Sequence, residues 1–113
     1  MSWKKWHKKD GYYINDEKFI YYSKRYKKYV TVPEGFISDG ATGARDVDSK
    51  GWWVHDVLCV DGFFDDGSEC TNWQASSILG DILKDEGYWF RGRSWFIATW
   101  FMGGGKARDN GMW

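Results

Sequence analysis

Tyr29-Val30-Thr31-Val32-Pro33-Glu34-Gly35-Phe36-Ile37 is the stretch where the chain changes its habit. Tyr29 to Val32 is β-branched and aromatic, the composition of a strand. Pro33, the only proline, stops that strand by removing a ladder donor, and Gly35 allows a turn before Phe36 and Ile37. Upstream, Tyr12, Tyr13 and Ile14 lead into the turn-prone Asn15-Asp16, and Phe19 to Tyr22 makes a strand separated from Tyr29 by the polar Ser23 to Lys28 segment. Three short strands joined by tight turns predict an antiparallel β-meander.

Downstream, Asp39 to Asp48 reads as a loop, because Gly40 and Gly43 permit backbone conformations closed to other residues. Beyond it the period becomes helical. Asp48 or Ser49 caps a helix through about Val60, with Trp53, Val57 and Val60 on one stripe and His55 and Asp56 at its flanks. Thr71-Asn72-Trp73-Gln74 fits a capping box and opens a second helix ending at Gly87, with Ala75, Ile78, Leu79 and Ile82 on its apolar face. A third, opened by Ser94, carries Trp95 to Met102 and stops at Gly103-Gly104-Gly105, leaving 103–113 as a Gly-rich, flexible tail. The expected class is α+β: a small N-terminal antiparallel meander followed by about three helices packed on it.

At 113 residues the chain is one domain with a single modest core. One residue in five is aromatic and nine are Trp, so large flat side chains build that core, and their indole N–H and phenol O–H groups need polar partners. Cys59 and Cys70 have neither the density of a disulfide scaffold nor C-x-x-C spacing, so both are expected as reduced thiols, Cys59 in the core. Met1 to Asp10 is charged and contains no signal peptide, and the longest apolar stretch, Trp95 to Met102, is too short to form a transmembrane segment.

The net charge of zero hides a split. Between Lys4 and Lys28, nine Lys and Arg face only Asp10, Asp16 and Glu17, with Trp3, Trp6 and the tyrosines from Tyr21 to Tyr29 interleaved. Rings and lysines in this order suit a single-stranded nucleic acid or an anionic membrane surface. They equally suit a solvated strand edge whose lysines discourage edge pairing, with His7 an exposed bystander. Gly103-Gly104-Gly105-Lys106 follows a helix and lacks phosphate-loop spacing, and Asp61 to Glu69 lacks the order of a calcium loop and reads as a connection.

Two motifs carry the candidate site: Pro33-Glu34-Gly35-Phe36-Ile37-Ser38-Asp39-Gly40-Ala41-Thr42, with Arg45 close behind, and His55-Asp56-Val57-Leu58. Together they resemble a phage and prophage family, domain of unknown function 1353, whose pattern runs P-x-G-F-x-T-D-G-A-S, an arginine, H-D-x-L-Y on a helix, a helix with an Ala-Asp pair, and a closing helix. The likeness covers the chain from about Tyr29 onward. Cys59 stands where the family has tyrosine, and Ala75-Ser76 replaces the Ala-Asp pair, unless Asp81 supplies that carboxylate. The resemblance implies a phage-encoded protein in the virion or in the cytoplasm of the infected bacterium, a virion component or an accessory to assembly or host penetration. Its partners would be other phage structural proteins or further copies of itself. It implies no activity.

The residues themselves leave three readings open. In the first, Asp39, Thr42, Arg45, His55 and Asp56 form a buried polar network tying loop to helix. In the second they bind an ion or ligand without catalysis. In the third, the His-Asp pair is similar to that of secreted phospholipase A2: His55 is the general base, Asp56 and Asp39 hold Ca2+, and loop carbonyls complete the shell of a calcium-dependent ester hydrolase. Adjacent helix positions point about 100° apart, so one site using both must wrap around the helix.

Overall fold

The computed structural model describes residues 6–10, 12–38, 50–102 and 105–113. Its elements are β1 (Trp6–Lys9), β2 (Tyr12–Asn15), β3 (Phe19–Ser23), β4 (Lys28–Val32), β5 (Ile37–Ser38), α1 (Lys50–Asp61), α2 (Asn72–Asp85), α3 (Trp89–Met102) and α4 (Lys106–Asn110). The fold is α+β, with an antiparallel β-meander at the N-terminus and helices after it. The strands divide into two sheets: β2 lies between β1 and β5, while β3 pairs, among the described residues, with β4 alone.

The division happens at Asn15, which the sequence places in a turn and the structure uses as a clamp. It is 1% exposed, and its Nδ2 donates to the carbonyls of Glu17 and Pro33, each at 2.9 Å. Its backbone N–H donates to Phe36 O at 3.0 Å, and its carbonyl accepts from Gly35 N at 2.8 Å. Pro33 therefore ends β4 and also offers the carbonyl that ties the two sheets together. In the second sheet the register runs from Phe19 opposite Val32 to Ser23 opposite Lys28. Val30 and Val32 face the core, and Tyr22 and Tyr29 pair on the outer face with centroids 4.8 Å apart.

α1 is the central rod. Gly51, Trp52, Trp53, Val54, His55, Val57 and Leu58 are all buried, because β4, α2 and α4 each pack against this helix. That corrects the expected single stripe: Trp53 and Val57 are inside, but Val60 is 56% exposed, and Trp52 and Val54 are interior. A helix apolar on nearly every side is a buried helix. α2 begins as its sequence requires, with Gln74 N donating to Thr71 Oγ1 at 3.3 Å and Thr71 N to Gln74 Oε1 at 3.0 Å. Ala75, Ile78, Leu79 and Ile82 are buried as expected.

α3 starts at Trp89, before Ser94. Gly92 is helical because it brings α3 against α2: a Cβ there would lie 2.9 Å from Gly80 O, and one on Gly80 would lie 3.1 Å from Gly92 O. Packing outweighs the poor helix propensity of glycine. After the glycines the chain does not trail off as a flexible tail. α4 buries Ala107 completely, and Asn110 Nδ2 donates to Gly62 O at 2.8 Å and Cys70 O at 3.0 Å. Trp100 Nε1 donates to Met112 O at 2.7 Å, and Trp113 packs on Trp73 and Trp100 with centroids 5.4 and 5.0 Å apart. The demand for polar partners is met for Trp100, whereas the buried Trp52 indole N–H has no hydrogen-bond partner among the described residues and sits in a T-shaped contact with Trp95.

Candidate functional site

β5, at the edge of the three-stranded sheet, meets α1 through Ser38 and Asp56, and the segment joining them, 39–49, lies outside the described residues, so Asp39, Thr42 and Arg45 do too. The described half of the site is Ser38, His55, Asp56 and Cys59. The wide angle between adjacent helix positions sends the two motif residues to different places. His55 points inward and is 0% exposed, whereas the Asp56 side chain stays at the rim, 16% exposed.

The two still touch. His55 Nδ1 lies 3.8 Å from Asp56 Oδ1, and Cys59 Sγ lies 3.6 Å from His55 Nε2. Ser38, buried at the end of β5, donates its hydroxyl to Asp56 Oδ2. Burial disfavours the imidazolium and pulls the His55 pKa down, but the bonds to Asp56 and Cys59 outweigh it and hold the group up at about 9.

A cavity of about 300 Å³ opens beside this cluster. Tyr12, Phe36, Ile37 and Val60 form its apolar wall, and Ser38, Asp56 and Cys59 its polar corner. His55 is behind that corner, fully buried. Cys59, expected in the core, packs against it but is only partly buried and also lines the cavity, while Cys70 is the sealed thiol, pushed up to about 12 by burial. Both cysteines are free, as expected. The helical step of four residues from His55 to Cys59 was the sequence signal for their contact.

The other residues weighed for the site are engaged elsewhere. Ser76 is buried and accepts a hydrogen bond from Thr99 Oγ1 at 2.9 Å, which places it in the α2–α3 interface. Both carboxylate oxygens of Asp81 accept from Arg25 at 2.8 Å, so Asp81 does not stand in for the missing acid. Among the described residues no group of three or more His, Cys, Asp or Glu could hold a metal ion. Of the residues expected to hold calcium, only Asp56 is described, with one carboxylate oxygen bonded to Ser38; Asp39 and the loop carbonyls lie outside the described residues.

The basic first quarter is partly neutralised from within. Arg25 pairs with Asp81, and Lys28 Nζ pairs with Asp66 at 2.6 Å, while Lys9, Lys18, Lys24 and Lys27 are exposed. His7, exposed as expected, bonds Asp16. No helix among the described residues is long and apolar enough to cross a membrane. Comparison of the chain with known protein families, curated proteins and solved structures finds no match in any of the three.

Proposed function

We propose that this protein works by binding, through the cavity between β5 and α1, and that the ligand has an apolar body and a cationic, hydrogen-bond-donating head such as an amidinium, guanidinium or primary amine. The observation that carries this reading is the placement of Asp56, the one charged residue among the described lining residues, beside Ser38 and Cys59 in a cavity walled by two rings and two aliphatic side chains. A carboxylate accepts and does not donate, and Ser38 spends its proton on Asp56, so the corner presents acceptors. Tyr12 and Phe36 add ring faces that attract a cation. His55 is sealed from the cavity, so it does not meet a ligand there as a base.

The resemblance of the two motifs to the phage and prophage family supplies the setting, a virion component or an accessory to assembly or host penetration. In it, the ligand head is a free amine or a basic side chain of a partner protein.

Calorimetric titration with benzamidine, with neutral benzamide as control, tests the chemistry. Benzamidine binds and benzamide does not, and Asp56→Asn weakens binding by roughly tenfold or more, the cost of losing a charge-assisted hydrogen bond. Equal binding of the two compounds, or an unchanged affinity in Asp56→Asn, overturns the reading. Calcium is expected to leave the melting temperature unmoved. A calcium-dependent rise that disappears in Asp56→Asn, together with ester cleavage lost in His55→Ala, would establish the hydrolase instead.

A further inference from the structure

A second, larger cavity of about 450 Å³ opens between α2 and α3, and nothing in the two sequence motifs touches it. The helix crossing builds it. Gly80 and Gly92 meet backbone to backbone, and the cavity walls come from Trp89 and Phe96, about one turn either side of Gly92, and from Trp73, about two turns before Gly80. Trp73 from α2 and Trp89 and Phe96 from α3 line it with rings, and Trp73 and Phe96 meet edge to face with centroids 4.8 Å apart.

Its charges are unequal. Arg25 reaches the cavity from the turn between β3 and β4, and its guanidinium is held by Asp81 through two bonds of 2.8 Å, a rigid pair with no net charge. Lys84 and Arg93 also line the cavity and form no ion pair among the described residues. The Arg93 guanidinium lies over the Trp89 ring, 5.5 Å from its centroid, which orients it without neutralising it. The walls therefore combine three aromatic rings with two positive charges, in a volume sufficient for one or two fused rings and a substituent.

We propose that this cavity binds a planar aromatic ring carrying an anionic group, with the ring between Trp73, Trp89 and Phe96 and the phosphate or carboxylate on Lys84 and Arg93. Ring burial supplies affinity, and the two cations supply the preference for an anion. The Arg25–Asp81 pair also lines the cavity. The site is independent of the Asp56 cavity.

Two anionic probes, AMP and indole-3-acetate, and their neutral counterparts, adenosine and indole-3-acetamide, test it by residue-resolved NMR titration, with inorganic phosphate alone as a fifth probe. At least one anion shifts the amides of Gly80 and Gly92, binds roughly tenfold tighter than its neutral counterpart, and outcompetes phosphate. Which anion does so distinguishes phosphate from carboxylate. The double variant Lys84→Gln, Arg93→Gln loses the anion preference, and its unchanged melting temperature shows the fold intact. Neutral rings binding as well as anions, phosphate binding as well as AMP, a preference that survives in the double variant, or no shift with either anion each overturns the proposal.

Discussion

His55 is a histidine placed where a histidine is expensive, sealed inside α1, and it is tolerated because Asp56 and Cys59 hold its charged form. Its pKa of about 9 lies above the ordinary 6.5, so the folded state binds this proton more tightly than the unfolded chain. The stabilisation is fully present below about pH 6.5 and is lost as pH rises through about 9. Urea denaturation is expected to show stability falling as pH rises through that window in the parent protein and a clearly smaller fall in His55→Gln. Removing the partner has its own cost: Ser38→Ala takes a hydrogen bond from a half-buried carboxylate and lowers stability by about 1–3 kcal/mol, measured in the same way. Of this cluster the sequence makes His55 and Asp56 visible by their adjacency in a largely apolar run. It does not make visible that one faces in and the other out, because that depends on what packs against each side of α1.

At the scale of elements, the close crossings make the sharpest demands. Gly92→Ala would set a methyl 2.9 Å from Gly80 O, against a backbone atom that cannot step aside alone. The gain in helix propensity does not compensate, and a net loss of about 1–3 kcal/mol is expected from thermal or urea melting. Gly105→Ala is predicted to be worse, since its Cβ would lie 2.4 Å from Cys59 O at a residue whose φ is +86°. The elements legible in the sequence are those fixed by local chemistry: α2 by its capping box and β4 by Pro33, whereas the expected caps of α1, Asp48 and Ser49, lie outside the described residues. Those not legible are fixed by distant partners. β1 exists because β2 offers it an edge, with Trp6 opposite Asn15 and Lys9 opposite Tyr12. The first turn of α3 exists because Gly92 fits against Gly80, and α4 because the floor of α1 receives Ala107.

For the whole molecule, the C-terminal segment is the closure of the core. Asn110 ties the α1–α2 connection at two carbonyls, Gly111 O accepts from the N-terminal residue of α2 at 2.9 Å, and Trp113 completes the ring cluster around Trp73. Truncation before Gly105 is expected to lower the melting temperature substantially and broaden the transition, whereas loss of a flexible tail would leave both unchanged; differential scanning calorimetry separates the two. Tail and glycine run look dispensable in sequence because neither contains a periodic apolar pattern, and the bonds of Asn110 and Gly111 that anchor the tail reach residues about 40 or more positions away. The candidate site follows the same division: its two motifs mark where the chain turns from sheet to helix, while the cavity arises only when β5 comes alongside α1. The claim that Asp56 makes this cavity a receptor for a cationic group is tested most directly by a residue-resolved NMR titration with benzamidine. The account predicts amide shifts concentrated at Tyr12, Ile37, Ser38, Asp56, Cys59 and Val60 and absent in Asp56→Asn. Shifts centred elsewhere, or undiminished in that variant, would contradict it.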